Sequence, residues 1–314
     1  MKQRICFRAD ASSVIGYGHF IRSLALADML KDDFDCVFYT SEPNQFQIVE
    51  LNKVCRHICL SEKTKHDVFL GLLDGSEIVV LDNYFFTTDY QKKIKSKGCR
   101  LVCIDDMHDK HYVANAVINY CTTDSTVFST ESTTKLCLGF DWMLLRKAFR
   151  KPSQIKQRND TIVLCFGGAD PYGITEKMIW HLSDLEVNNP IVAISKNTFT
   201  IPPKLNCEIK FGLGATQMAQ LFSTSALGIM AASTVFLEGL SQGLPMIVGY
   251  HVENQLELYK SIEQRQCGIT VGNLQDLTKK ELQNAIHLSK KLQINPIKPQ
   301  ETAINYIHLF YSLA

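Results

Sequence analysis

The 314-residue chain carries almost no net charge: 33 Lys and Arg stand against 32 Asp and Glu, leaving +1. That balance gives no general basic surface, so no nucleic-acid partner is expected. An anionic ligand would have to be held by local groups. The eleven cysteines contain no CxxC pair, and the nearest spacings are Cys55/Cys59 and Cys99/Cys103. This argues against a zinc site, and the odd number argues against a disulfide framework. Cys6, Cys103 and Cys165 lie inside apolar runs, which fits buried free thiols in a reducing compartment. There is no apolar run of about 18 residues, so no stable membrane insertion is expected. Arg8 and Asp10 interrupt any apolar segment near the start, so the expectation is a cytoplasmic protein without a signal peptide. Low-complexity segments and short-period repeats are also missing.

What is present is an ordinary globular composition, 46% hydrophobic, in a length suited to one large or two medium domains. Strand-like and helix-like segments alternate. Strands are predicted at 2–7, 35–40, 55–60, 78–81, 100–104 and 116–118, and helices at 19–31, 44–53 and 88–98. Periodicity is lost near 144–153, a basic stretch ending in Pro152-Ser153, and then restarts. Strands follow at 161–166, 191–195, 208–211, 226–230 and 246–250. Helices are predicted at 173–182, 216–223, 235–242, 254–264, 278–291 and about 300–313. Two βαβ series predict an α/β fold of two Rossmann-like domains with a central cleft (GT-B-like). The domains would be 1–149 and 150–314, the last helix being a candidate to pack back on the first. Ligands in such sheets bind at the carboxyl ends of the strands.

The first strand leads into Gly16-Tyr17-Gly18-His19 and then an amphipathic helix. A strand, a glycine loop and a helix N-terminus can cradle a phosphate with backbone N–H groups. Ile21 replaces the third glycine of GxGxxG, so the dinucleotide fingerprint fails. No Gly-Lys-Ser/Thr follows to make a Walker loop. His19 adds an imidazole, the side chain suited to proton transfer at neutral pH. Taken alone, the glycines could form only a tight turn and His19 a structural hydrogen bond. Asp82-Asn83-Tyr84 ends another strand, where Tyr84 could hydrogen-bond a sugar or merely cap the loop. Asp105, Asp106, His108 and His111 cluster after a strand. A loop in which Asp105 caps local N–H groups is preferred there over a metal site, and no metal is expected.

In the second half, Phe166-Gly167-Gly168 follows a strand and allows close backbone approach to a ligand. Ser233 and Thr234 open a helix and offer donors to a diphosphate. Glu238, one turn after Thr234, could accept two ribose hydroxyls. Asn254 and Gln255 could offer amides to a sugar or to water, or simply start a helix.

The pattern carried by Arg8, Asp10, Ser12, Ile15, Gly16, Gly18, His19 and Arg22 resembles the opening of the UDP-2,4-diacetamido-2,4,6-trideoxy-β-L-altropyranose hydrolases of pseudaminic acid biosynthesis. Asp82–Tyr84, Ile104–Asp106, Leu144–Arg146, Phe166–Gly168, the 233–238 segment and Asn254-Gln255 resemble later landmarks of that family, over about residues 4–260. These later motifs are shared with wider nucleotide-sugar glycosyltransferases. Asn83 stands where the family pattern has His, and residues 231–233 match it loosely. The resemblance implies hydrolysis of a UDP-sugar at the anomeric carbon, with no cofactor. Catalytic residues would be His19, Tyr84 and Asn254. Substrate-binding residues would be Gly16, Gly18, Gly168, Ser233, Thr234, Glu238 and Gln255. The alternative is a glycosyltransferase of the same architecture using a UDP-amino sugar in surface polysaccharide synthesis. A non-catalytic nucleotide-sugar sensor ranks last, since it has no use for His19.

Overall fold

The structure is a computed structural model that describes residues 2–11, 16–151, 157–167, 170–292, 294, 297 and 299–314. The chain divides into two compact units, one of residues 1–147 with 300–314, the other of residues 148–299.

The first unit is built on strands β1 (Arg4–Ala9), β2 (Asp35–Ser41), β3 (Arg56–Leu60), β4 (Ile78–Asp82), β5 (Arg100–Ile104), β6 (His111–Tyr112), β7 (Ala116–Asn119), β8 (Ser129–Thr130) and β9 (Lys135–Leu138). Helices α1 (Gly18–Leu30), α2 (Gln45–Val54), α3 (Lys65–Leu72) and α4 (Thr88–Ser96) connect them. Seven strands form one parallel sheet in the order β3-β2-β1-β4-β5-β7-β9, and β6 pairs with β8 apart from it. The order reverses between β1 and β4, where Ala9 pairs in register with Asp82. That reversal opens a crevice at the strand ends.

β1 and β4 are buried along almost their whole length, as a central parallel strand with helices on both faces must be. The sequence pattern ends the first strand at residue 7, but β1 runs on to Ala9. Arg8 stays inside the sheet because Asp10 neutralises it there with a two-pronged contact. Helix α1 buries ten of its thirteen residues. His19, Arg22 and Ser23 are three of those ten, and their i, i+3, i+4 spacing puts them on one face. The sequence reading gave no element at α3, β6, β8 or β9. α3 is short and mixes charge with apolar residues, and β9 is half exposed, so neither shows a clean period.

The second unit contains β10 (Ile162–Cys165), α5 (Ile174–Asp184), β11 (Ile191–Ile194), β12 (Cys207–Lys210), α6 (Ala215–Thr224), β13 (Leu227–Ala231), α7 (Thr234–Ser241), β14 (Met246–Tyr250), α8 (Leu256–Arg265), β15 (Ile269–Asn273) and α9 (Lys279–Ser289). Its six strands are parallel, in the order β12-β11-β10-β13-β14-β15. This is the doubly wound order, with its reversal between β10 and β13. Its core packs Leu164, Phe166, Ile179, Ile229 and Ile247 with their neighbours. Gly239 lets α7 lie close on the sheet, since a Cβ there would stand 2.6 Å from the Met246 sulfur. β15, with Gly272 in it, is half-buried at the sheet edge and was not foreseen.

The last helix, α10 (Pro299–Tyr311), belongs mainly to the first unit. Tyr306 is fully buried and donates to the Trp142 carbonyl, and Tyr311 donates to Asp33 at 3.0 Å. All eleven cysteines are free thiols. Among the described residues, no helix is long and apolar enough to cross a membrane.

Candidate active site

The site in the first unit begins at Gly16, whose φ of +75° suits glycine. Helix α1 starts two residues later, and His19 in its first turn is 5% exposed. Its Nδ1 lies 2.7 Å from Asp82 Oδ1, at the end of β4. An imidazole nitrogen so close to an ionised carboxylate carries the hydrogen, which leaves the lone pair of the neutral ring on Nε2. Arg22 Nη2 also approaches Nδ1, at 3.1 Å. Two donors cannot bond each other, so this closeness follows from the bond that each makes to Asp82.

Asp82 is the hub. It accepts from His19, from Arg22 Nε at 2.7 Å and Nη2 at 2.6 Å, and from Ser23 Oγ at 2.9 Å. Burial by itself would raise its pKa. The Arg22 charge, then His19 and the hydrogen bonds, outweigh burial and lower it to about 2. Arg22 continues to Asp106 Oδ2 at 2.8 Å and to the Tyr120 hydroxyl at 3.0 Å.

Tyr84 meets the His19 ring edge to face at 4.6 Å between centroids, and it is partly exposed. Asn83 holds Asp10, just past the end of β1. Its Oδ1 accepts the Asp10 N–H at 2.8 Å and its Nδ2 donates to the Asp10 carbonyl at 3.3 Å. A small pocket beside His19 is lined by Tyr84, Asn83, Phe86, Asp105 and Lys110 among others. Burial, with Asp106 nearby, pushes the Asp105 carboxyl up from the usual range despite the Tyr112 hydroxyl and the His108 N–H. That N–H reaches Asp105 Oδ2 at 2.7 Å, the local cap expected for this loop. The clustered loop side chains turn apart: Asp106 goes to Arg22, and His111 goes to Ser129 and Glu131.

In the second unit, Ser233 and Thr234 open α7 directly after β13, and no side-chain hydrogen bond caps the helix. Glu238, one turn later, is buried at 2% exposure. Gly167 has φ +97°, a backbone that suits glycine, while Gly168 lies outside the described residues, as do Ser12 and Ile15. Asp170 accepts the Ile174 and Thr175 N–H groups at 2.8 and 2.9 Å and so caps α5. Asn254 and Gln255 sit in a short 3₁₀ turn before α8, and Gln255 Oε1 accepts the His251 N–H at 2.9 Å. The structure thus groups Gly18, His19 and Tyr84 in one unit and Ser233, Thr234, Glu238, Asn254 and Gln255 in the other. The sequence reading missed Asp82 as the partner of His19, and Arg22 with Asp106 behind it. The His-x-x-Arg-Ser spacing of one helix turn was the available signal.

Two doubly wound units with helix-capped strand ends define a GT-B-type α/β fold, and solved structures agree. The chain resembles the Spinosyn Forosaminyltransferase SpnP at a TM-score of 0.64, with 11% identity over 100% of this chain and 96% of that one. It resembles Arabidopsis thaliana UGT89C1 complexed with UDP-L-rhamnose at a TM-score of 0.70, with 9% identity over 100% and 99%. Among curated proteins, it is 24% identical to an uncharacterized protein of Methanocaldococcus jannaschii over 82% of this chain. That match spans only 57% of that protein's length. It is 23% identical to the UDP-2,4-diacetamido-2,4,6-trideoxy-beta-L-altropyranose hydrolase of Campylobacter jejuni, over 76% of this chain and 88% of that protein. It is 22% identical to the spore coat polysaccharide biosynthesis protein SpsG of Bacillus subtilis, over 84% and 82%. No family model matches the chain.

Proposed function

We propose that the chain hydrolyses a UDP-linked diacetamido-trideoxy sugar at its anomeric carbon in nonulosonic (pseudaminic) acid biosynthesis, releasing UDP and the free sugar. The observation that carries the reading is the His19–Asp82 hydrogen bond at 2.7 Å, which leaves Nε2 as a base. The similarity to the Campylobacter hydrolase supports the substrate class. Water oxygen bonds to the anomeric carbon as His19 Nε2 takes its proton. The bond from that carbon to the β-phosphate oxygen breaks, and its electron pair leaves with UDP. Asp82 holds the ring and stabilises the imidazolium. Tyr84, beside the ring, and Asn254 position water or sugar. Gly16 and Gly18 let backbone approach the substrate, and Gly168 is assigned to the substrate from the sequence pattern alone. Ser233 and Thr234 at the start of α7 meet the diphosphate, where N–H groups stabilise the leaving charge, and Glu238 takes the ribose hydroxyls. Gln255 lines the same strand ends. No step calls for a metal or redox cofactor.

The test is turnover of a panel of UDP-amino sugars in oxygen-labelled water, read by mass spectrometry. Hydrolysis at carbon puts the label in the sugar and none in UDP. UDP release that requires an added sugar acceptor would replace this reading with glycosyl transfer.

A further inference from the structure

We infer that Asp106, which does not touch His19, tunes the proton affinity of His19 through Arg22 and is a positioning residue of this site. The inference rests on the proposal that His19 is the base. Asp82, Arg22 and Asp106 are joined in series by hydrogen bonds of 2.6 to 2.8 Å and are all nearly removed from water. Asp106 Oδ1 has no hydrogen-bond partner among the described residues, so Arg22 is the counter-charge it faces. Two carboxylates against one guanidinium leave the buried group with one net negative charge. A proton on His19 brings it to neutrality. Without Asp106, Arg22 would fully offset Asp82, and protonating His19 would leave a buried positive charge. Asp106 is therefore what makes the imidazolium, the state reached after proton abstraction, favourable in this setting.

Other groups around the ring do not supply that imbalance. Asp105 and Lys110 share its pocket and oppose each other in sign. Arg8, Asp10, Lys65 and Glu62 are joined in a second set of matched charges. Tyr120 and Cys103 are uncharged near neutral pH, because burial holds both in their protonated forms.

The experiment titrates the His19 imidazole by NMR in ¹⁵N-histidine-labelled protein, its signal assigned by its loss in His19→Gln, beside pH profiles of kcat/KM. Asp106→Asn keeps the shape and an acceptor for Arg22. It should move the His19 midpoint, and the acid limb of the rate profile, down. Arg22→Met should move both up. Tyr120→Phe, which removes a hydrogen bond without a charge, should move neither. No movement in Asp106→Asn, or movement in the same direction for Asp106→Asn and Arg22→Met, overturns the inference. If Arg22→Met does not fold, Asp106→Asn against Tyr120→Phe decides alone. A His19 midpoint that shifts as expected in protein that hydrolyses no UDP-sugar sinks the hydrolase reading and leaves the inference standing. Hydrolysis with an unmoved midpoint sinks only the inference.

Discussion

At the end of β4, Asp82 receives four hydrogen bonds, three of them from nitrogen atoms of His19 and Arg22. At the corresponding strand of the second unit, β13, the chain passes into Ser233 and the uncapped start of α7. Elsewhere in that unit, after β10, the carboxylate of Asp170 takes the backbone N–H groups that open α5. Two ion pairs of the second unit, Lys279–Asp184 and Lys260–Glu257, lie on its surface. One doubly wound scaffold thus carries two kinds of strand-end apparatus. The first buries charge and must saturate it, which fixes the tautomer and orientation of an imidazole. The second opens a helix at Ser233 and Thr234 with no side-chain cap. On the proposed reading these are a proton-handling end and an anion-holding end, which a reaction that expels a nucleoside diphosphate requires.

The sharpest way to break the comparison is His19→Ala. If the first unit handles the proton, turnover should fall by about 10²- to 10⁴-fold, the range for a general base. UDP affinity, measured by calorimetry, should stay within a few-fold of the parent. Loss of UDP binding together with turnover would mean that the two ends do not divide the work in this way.

Acid stability comes next in size. Asp82 binds its proton more weakly folded, near a pKa of about 2, than an unfolded aspartate does. The unfolded chain therefore holds more protons as the solution is acidified. The stabilisation from Asp82 is complete above the unfolded value of about 4 and is lost as pH falls through about 2, amounting to roughly 2–3 kcal/mol. Denaturant melts across that window should show Asp82→Asn with a flatter loss of stability than the parent. Equal slopes would mean that Asp82 is not held ionised by Arg22 and His19.

Much of the scaffold is legible in the sequence because a buried parallel strand writes a continuous apolar run, as 78–81 and 246–250 do. The glycine loop and His19 are legible for a similar reason: turn chemistry and helix starts are local. What is not legible is long-range pairing. Asp82 reads as a loop cap until β1 and β4 are set side by side, 63 residues apart in the chain from His19. Asp106 reads as one of four side chains clustered in a solvated loop until Arg22 reaches it. Arg8 reads as a loop residue until Asp10 allows it to stay inside the sheet. In each case a charged residue looks solvated in sequence, and only its partner makes burial possible.

Glu238 sets the subtlest test, because it is the one carboxylate on α7 and it is buried at 2% exposure. On the proposed reading its oxygens take ribose hydroxyls. Glu238→Gln keeps the size and one acceptor but removes the charge that strengthens those bonds. UDP affinity should fall about 10-fold, equivalent to about 1.4 kcal/mol, with KM for the UDP-sugar rising in step. kcat should change far less, since the ribose lies away from the breaking bond and contributes equally before and during the reaction. His19→Ala should give the opposite pattern, so the two variants together form a cross-check on the division of labour. A Glu238→Gln protein that binds UDP normally but melts earlier would make Glu238 a structural carboxylate of α7. The anion-holding end would then rest on backbone donors alone.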